Sequence, residues 1–307
     1  MISEYPKNKE RIMITSIYKA RIADFKDFIV EKVAELPKLP KMKVTFGKSV
    51  KTAQNEAILN FSDLHMGGEF KNSYNSYNYN TAVERVTKLT EEVIKYCKEF
   101  NVRRLNILNL GDCISGAIHE TLRYEQQIDV VSQTMKAAEL VADMLNNLQV
   151  AAPEITYRSV SDNHSRITPD KTKSIEIENF SRVIDWFIKE RLKDTKIKFI
   201  DDNLDYGIGK FNLMNGKRVM FAHGHQDNKH SVVQDFTAVA REIPDYIILA
   251  HYHSSAEKTF NSTKVFVNGS IIGCDSYAYG KRLFGEPEQK LLIFNDNNVV
   301  DININLK

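Results

Sequence analysis

The chain has 307 residues, 42% hydrophobic and 27% charged, with a formal net charge of +2. This is an ordinary globular composition with enough apolar content for a sizeable core, and too little charge to mark the whole molecule as a polyanion binder. Cys97, Cys113 and Cys274 are odd in number, widely separated and in no CxxC pattern, which argues against a disulfide framework or a thiolate zinc site and for a reducing, cytoplasmic setting.

No apolar run approaches bilayer-spanning length, and the N-terminal MISEYPKNKERIM lacks the apolar stretch of a signal peptide, so a soluble protein with no membrane partner is expected. Residues 1–50 carry 11 Lys/Arg against 6 Asp/Glu, leaving −3 for the rest. A basic segment of this kind is either a nucleic-acid arm or a helix with a solvated lysine face. The second is preferred, since no aromatic or arginine cluster accompanies the lysines.

Apolar positions from Ile14 to Leu36 have mostly helical spacing and stop at Pro37 and Pro40, predicting a helix over residues 13–36 and then a linker. Strands are expected at Lys43–Phe46 and Ala57–Phe61. Helices over 81–100, 119–148 and 174–192 then alternate with strands at 104–110 and 155–160, which is α/β order. Further strands follow at 196–200, 217–222, 246–250, 264–267 and 290–294, with one helix over 231–241. The simplest organisation is a basic helix and linker over 1–50 and one catalytic domain over 51–307.

Five motifs recur at the ends of these strands. They are Asp63-Leu64-His65 after AILNF, Gly111-Asp112 after RLNILNL, Asn163-His164 after ITYRSV, His223-Gly224-His225 after RVMFA, and His251-Tyr252-His253 after YIILA. About half an Asp-x-His and about 0.2 His-x-His matches are expected from composition alone. Two His-x-His pairs occur, and six of the eight histidines fall in the motifs. Any one of them alone reads as a structural histidine or a polar turn. Their shared setting, on loops at the C-terminal ends of strands, is where α/β folds place ligands.

This order resembles the signature of calcineurin-like metallophosphoesterases over residues 57 to about 270. The tail from Phe266 resembles phage and bacterial DNA repair exonucleases of the SbcD type, with Asn268-Gly269-Ser270 close to that family's Asn-Pro-Gly-Ser turn. The resemblance implies a sandwich of two mostly mixed β-sheets flanked by helices, here with an N-terminal helical appendage. It also implies two divalent ions, manganese first with iron or zinc as alternatives. Asp63, His65, His253 and Asp112 would hold the first ion, and Asn163, His223, His251 and Asp112 the second, with Asp112 as the bridge. Imidazole, carboxylate and amide donors suit those metals better than calcium.

His164 matches the family's catalytic histidine, and His119 is a candidate second proton donor. Arg166 and His225 are candidate substrate contacts. The third motif reads Asp162-Asn163-His164-Ser165 where the family has Gly-Asn-His followed by an acid, so the carboxylate that orients the histidine is missing.

The implied activity is two-metal hydrolysis of phosphate esters, foremost by a phosphodiesterase or nuclease acting on DNA in the cytoplasm, a host's if the protein is phage-encoded. A protein partner or homo-oligomer would supply further binding surface. The alternatives are a phosphomonoesterase or nucleotide phosphatase, and a weakly catalytic metal- and nucleic-acid-binding module. Substrate choice would lie with the loops 67–80, which carry Tyr74, Tyr77 and Tyr79 as candidate base-stacking rings, and 276–287.

Overall fold

The computed structural model describes residues 27–40, 55–118, 126, 128–228, 230–295 and 298–307. The chain divides into two units, Met1–Pro40 and Lys41–Lys307. In the first, residues 27–35 are helical. The rest of the expected N-terminal helix before residue 27 and the expected strand Lys43–Phe46 lie outside the described residues.

The second unit begins with β1 (Asn55–Phe61), a short hairpin of β2 (Phe70–Lys71) and β3 (Ser76–Tyr77), α1 (Tyr79–Glu99) and β4 (Val102–Asn109). Next come α2 (Val130–Leu148), β5 (Glu154–Ser159), α3 (Ser181–Arg191), β6 (Lys198–Phe199), β7 (Ile208–Asn212) and β8 (Arg218–Ala222). It ends with α4 (Val232–Ala240), β9 (Tyr246–Leu249), β10 (Ala256–Phe260), β11 (Thr263–Val267), α5 (Ser276–Gly280), β12 (Glu288–Phe294) and β13 (Val299–Asn305). No helix among the described residues is long and apolar enough to cross a membrane.

These strands form two mixed sheets, ordered β13-β12-β1-β4-β5-β6 and β10-β11-β9-β8-β7. In the first, β1, β4, β5 and β6 are parallel, while β12 pairs antiparallel with β1 and β13 with β12. In the second, β8, β9 and β11 are parallel and the edges β7 and β10 antiparallel.

Side chains alternate across a strand, and β8 shows what this achieves. Val219 and Phe221 enter a core shared with Ile58 of β1, Leu108 of β4 and Leu292 of β12, so the two sheets pack face to face. Met220 and Ala222 point the other way, onto Val232 and Phe236 of α4. On the side of the first sheet, α1 packs on β4 and α2, and α2 on α3. The result is an α/β sandwich of two mixed sheets flanked by helices.

Two helices start later than the sequence pattern predicts. Asp129 caps α2 by accepting from the Ser132 amide at 3.0 Å, so this helix begins at Val130; residues 119–125, where the pattern places its start, lie outside the described residues. The helix expected from Ser174 begins at Ser181, because residues 165–180 fold back on themselves. Ile167 N donates to Glu178 O and Phe180 N to Ser165 O. Ile175 and Ile177, which supplied the helical spacing, are exposed.

Phe221 is fully buried between the sheets. Phe221→Ala is expected to lower unfolding free energy by about 3–5 kcal/mol, read as a shift of the urea midpoint at unchanged m-value.

Candidate metal centre

Each candidate ligand lies just past the C-terminal end of a parallel strand. Asp63 and His65 follow β1, Asp112 follows β4, Asn163 and His164 follow β5, His223 follows β8, and His251 and His253 follow β9. Backbone hydrogen bonds lace these loops together. Asp63 N donates to Gly111 O at 3.0 Å, His65 N to Asp112 O at 2.9 Å, and Ala250 N to His223 O at 2.8 Å.

Asp63, His65, Asp112, His251 and His253 all have positive φ, between 47° and 70°. For residues other than glycine this conformation costs on the order of 1–3 kcal/mol and persists only where the surroundings enforce it. Here it turns five side chains inward. Gly111 (φ 97°) permits the turn before Asp112, where a Cβ would come within 2.5 Å of Asp162 Cβ.

Two groups of donor atoms result, Asp63, His65, Asp112 and His253 in one and Asp112, His223 and His251 in the other, each set lying within 4.8 Å. Asp112 belongs to both. Asn163 joins the second group, its Oδ1 3.0 Å from His223 Nε2. In the first group, His65 Nε2 and His253 Nε2 point at each other across 3.2 Å.

The chemistry of these donors fits a bound cation. Asp63 Oδ1 and Oδ2 and Asp112 Oδ2 are buried without a hydrogen-bond partner among the described residues. The ion pairs of Asp63 Oδ1 with His253 and of Asp112 Oδ2 with His223, each 3.2 Å, lack hydrogen-bond alignment. Carboxylates in such a setting need positive charge beside them. Leu110 O accepts from His223 Nδ1 at 2.7 Å, which leaves Nε2 facing the centre.

Electrostatics follow the same geometry. Burial alone would raise the Asp112 pKa, but His164 and His223 outweigh it and hold the carboxyl well below the usual range. Burial likewise opposes charge on His223, yet Asp112 lifts its pKa to about 10. His65 is pushed well below its ordinary value by burial and by His164. Burial and the His223 charge take His251 down to about 4.

His164 takes its orientation from the backbone. Its Nδ1 donates to Ser115 O at 2.8 Å, and Nε2 lies 3.9 Å from Asp112 Oδ2. Asp162 does not reach the ring. It accepts from Ser165 N at 2.7 Å and Ser165 Oγ at 3.0 Å, closing the loop that carries Asn163 and His164.

The remaining candidates fare differently. His119 lies outside the described residues. Arg166 donates to the carbonyls of Thr168 and Pro169 in its own loop and is not among the residues lining the cleft over the centre. His225 stands beside the second group, its ring 5.5 Å from His223, with its pKa taken down to about 3 by burial and the His223 charge.

No protein-family model matches the chain. A curated relative, the SPbeta prophage-derived uncharacterized protein YonJ of Bacillus subtilis (strain 168), is 27% identical over 259 residues, covering 81% of this chain and 62% of its own. The chain therefore spans about three fifths of that relative's length. Among solved structures, an archaeal phosphodiesterase matches at 12% identity with a TM-score of 0.40, over 80% of this chain and 99% of that one. Zinc-complexed Vps29 from Entamoeba histolytica matches at 11% identity and 0.39, over 81% and 99%.

A cleft of about 620 Å³ opens over His65, Asn163, His164 and His253. Buried residues that sequence reasoning did not single out stiffen its base. Arg85 donates to Ile271 O and Ile272 O at 2.8 Å each, and Ile272 N in turn donates to Asp63 O at 3.0 Å. Asn268 donates to Ser62 Oγ at 2.8 Å and Gln289 Oε1 at 3.0 Å, tying the end of β1 to β12. The signal in the sequence for Arg85 is its place on the apolar stripe of α1, three residues after Ala82 and four before Leu89.

Calorimetric titration with Mn²⁺ is expected to find two ions per chain in the wild type and in His164→Ala, and loss of tight binding at both positions in Asp112→Ala. Before an ion binds, His223 keeps its proton up to about pH 10. A coordinating imidazole must be neutral, so binding releases protons and apparent affinity should rise with pH up to about 10, with proton release confirmed by comparing buffers.

Proposed function

We propose that the protein is a two-metal-dependent phosphoesterase, working as a phosphodiesterase or nuclease on DNA. The observation that carries this reading is the position of Asp112, a buried carboxylate common to two adjacent groups of metal-type donors. The resemblance of the five strand-end motifs to calcineurin-like metallophosphoesterases supports it. Manganese is the favoured ion, with iron or zinc as alternatives, because the donors mix imidazole, carboxylate and amide oxygen. Two such cations would neutralise phosphate charge and acidify a water.

The chain's own groups then have separable tasks. His164, fixed through Nδ1 to Ser115 O, presents Nε2 beside the centre, where it can meet a phosphoryl oxygen or exchange a proton with the leaving oxygen. The neutral carbonyl stands in for the carboxylate that the resemblance to calcineurin-like metallophosphoesterases would lead one to expect beside this ring. A cleft of about 620 Å³ is larger than a phosphate alone needs, which favours a diester over a monoester held in a closed pocket. With a net charge of only +2, duplex DNA would be held with help from a protein partner or a second copy. The prophage origin of the relative fits action in a host cytoplasm.

Hydrolysis of bis(p-nitrophenyl) phosphate, p-nitrophenyl phosphate, and single- and double-stranded DNA with Mn²⁺ tests the proposal. The diesters are expected to be cleaved faster than the monoester, with activity abolished in Asp112→Ala. His164→Ala should lower kcat by about 10²–10⁴-fold while retaining its ions. A strong monoester preference would point to a phosphatase instead. Two bound ions without turnover on any substrate would overturn the enzyme reading and leave a binding module.

A further inference from the structure

The cleft is unusual in what its lining leaves in water. Tyr277 is 68% exposed, Leu283 60% and Phe284 50%, and all three line the same cleft as His253 and Asn163. Single exposed apolar side chains are normal on a surface, but a contiguous group inside a cleft marks a binding site. Tyr74, 54% exposed, stacks on Phe284 with ring centroids 4.4 Å apart and planes inclined by 22°. Of the three tyrosines in loop 67–80 it alone joins this wall. Tyr77 is buried, with its hydroxyl on Leu64 O, and Tyr79 lies under Lys136 Nζ at 4.0 Å.

Cations interleave the rings. Lys281 Nζ sits 5.9 Å from the Tyr277 ring centre. Arg282 also lines the cleft, and no carboxylate among the described residues lies within ion-pair distance of its guanidinium. The wall is seated on the metal-ligand loop itself, since a Cβ on Gly285 would come within 2.3 Å of His253 O. Rings and positive charge beside a phosphate centre match the two faces of a nucleotide, its base and its phosphate. They do not match a lipid or a purely apolar peptide.

We propose that Tyr277 and Phe284, backed by Tyr74 and flanked by Arg282, form a base-stacking subsite for the nucleoside next to the scissile phosphate. The substrate is then a nucleic-acid strand whose base at that position is unstacked. This rests on the phosphoesterase reading for the chemistry, though not for the binding.

The test uses the full chain and two fluorescent strands of equal length, oligothymidine and an abasic tetrahydrofuran oligomer. Anisotropy in EDTA measures binding, and kcat/KM with Mn²⁺ measures cleavage. The wild type is expected to favour the base-bearing strand by about tenfold or more in both. Phe284→Ala and Tyr277→Ala should each shrink that ratio several-fold, with the double variant near one, whereas Arg282→Gln should weaken both strands alike. Both rings are half or more exposed, and far-UV circular dichroism confirms that the variants fold. Equal binding of the two strands by the wild type, or an unchanged ratio in the double variant, overturns the subsite and leaves the patch to a protein partner. Base-dependent binding with no hydrolysis of any ester would sink the enzyme reading and spare the subsite. Hydrolysis at equal rates on both strands, with equal binding, would do the reverse.

Discussion

A carboxylate fully withdrawn from water sets the terms for the rest of this molecule. Asp112 has no exposed surface, one of its oxygens lacks a hydrogen-bond donor, and three histidines approach that oxygen within 3.9 Å. An ionised group in such a place is tolerable only if positive charge is delivered to it from fixed positions. The strands supply those positions. β1, β4 and β5 bring three loops from one sheet, β8 and β9 bring two from the other, and all five end on the same rim.

Delivery requires backbone that most residues avoid. Five candidate ligands sit in the left-handed region, and the strain is held by hydrogen bonds between neighbouring loops, such as Asp63 N to Gly111 O and Ile272 N to Asp63 O. Arg85 and Asn268, both buried and each making several hydrogen bonds, brace the segments behind them. The donors are thus held by a braced backbone, while the exposed rings of the cleft, Tyr277 and Phe284, lie outward on residues 276–287.

Much of this was legible in the chain because the donors are rare residues in a repeated setting. One such motif alone carries little meaning, but two His-x-His pairs in one ordered set with three other strand-end motifs are hard to reach by chance, and His223, His251 and His253 do converge with Asp63, His65 and Asp112. The central strands were equally plain, being short apolar runs. The edge strands β7, β10 and β13 were not, since edges face water on more sides and carry Lys, Asn, Asp and Glu in place of continuous hydrophobics. What orients His164 was also hidden, because a carbonyl at Ser115 has no side-chain signature. Arg166 shows the converse. Its position beside His164 suggested a substrate contact, but its hydrogen bonds go to its own loop.

The centre also joins residues that lie far apart along the chain. His65 and His253, separated by 188 positions, meet at 3.2 Å, one from each sheet. Closing a loop of that length carries a conformational-entropy cost that the docking of the two sheets must offset. An ion held by Asp63, His65, Asp112 and His253 would cross-link the two layers of the sandwich. The full donor set exists only once the chain extends to His253, while β12, the antiparallel neighbour of β1, is contributed later still, by residues 288–294.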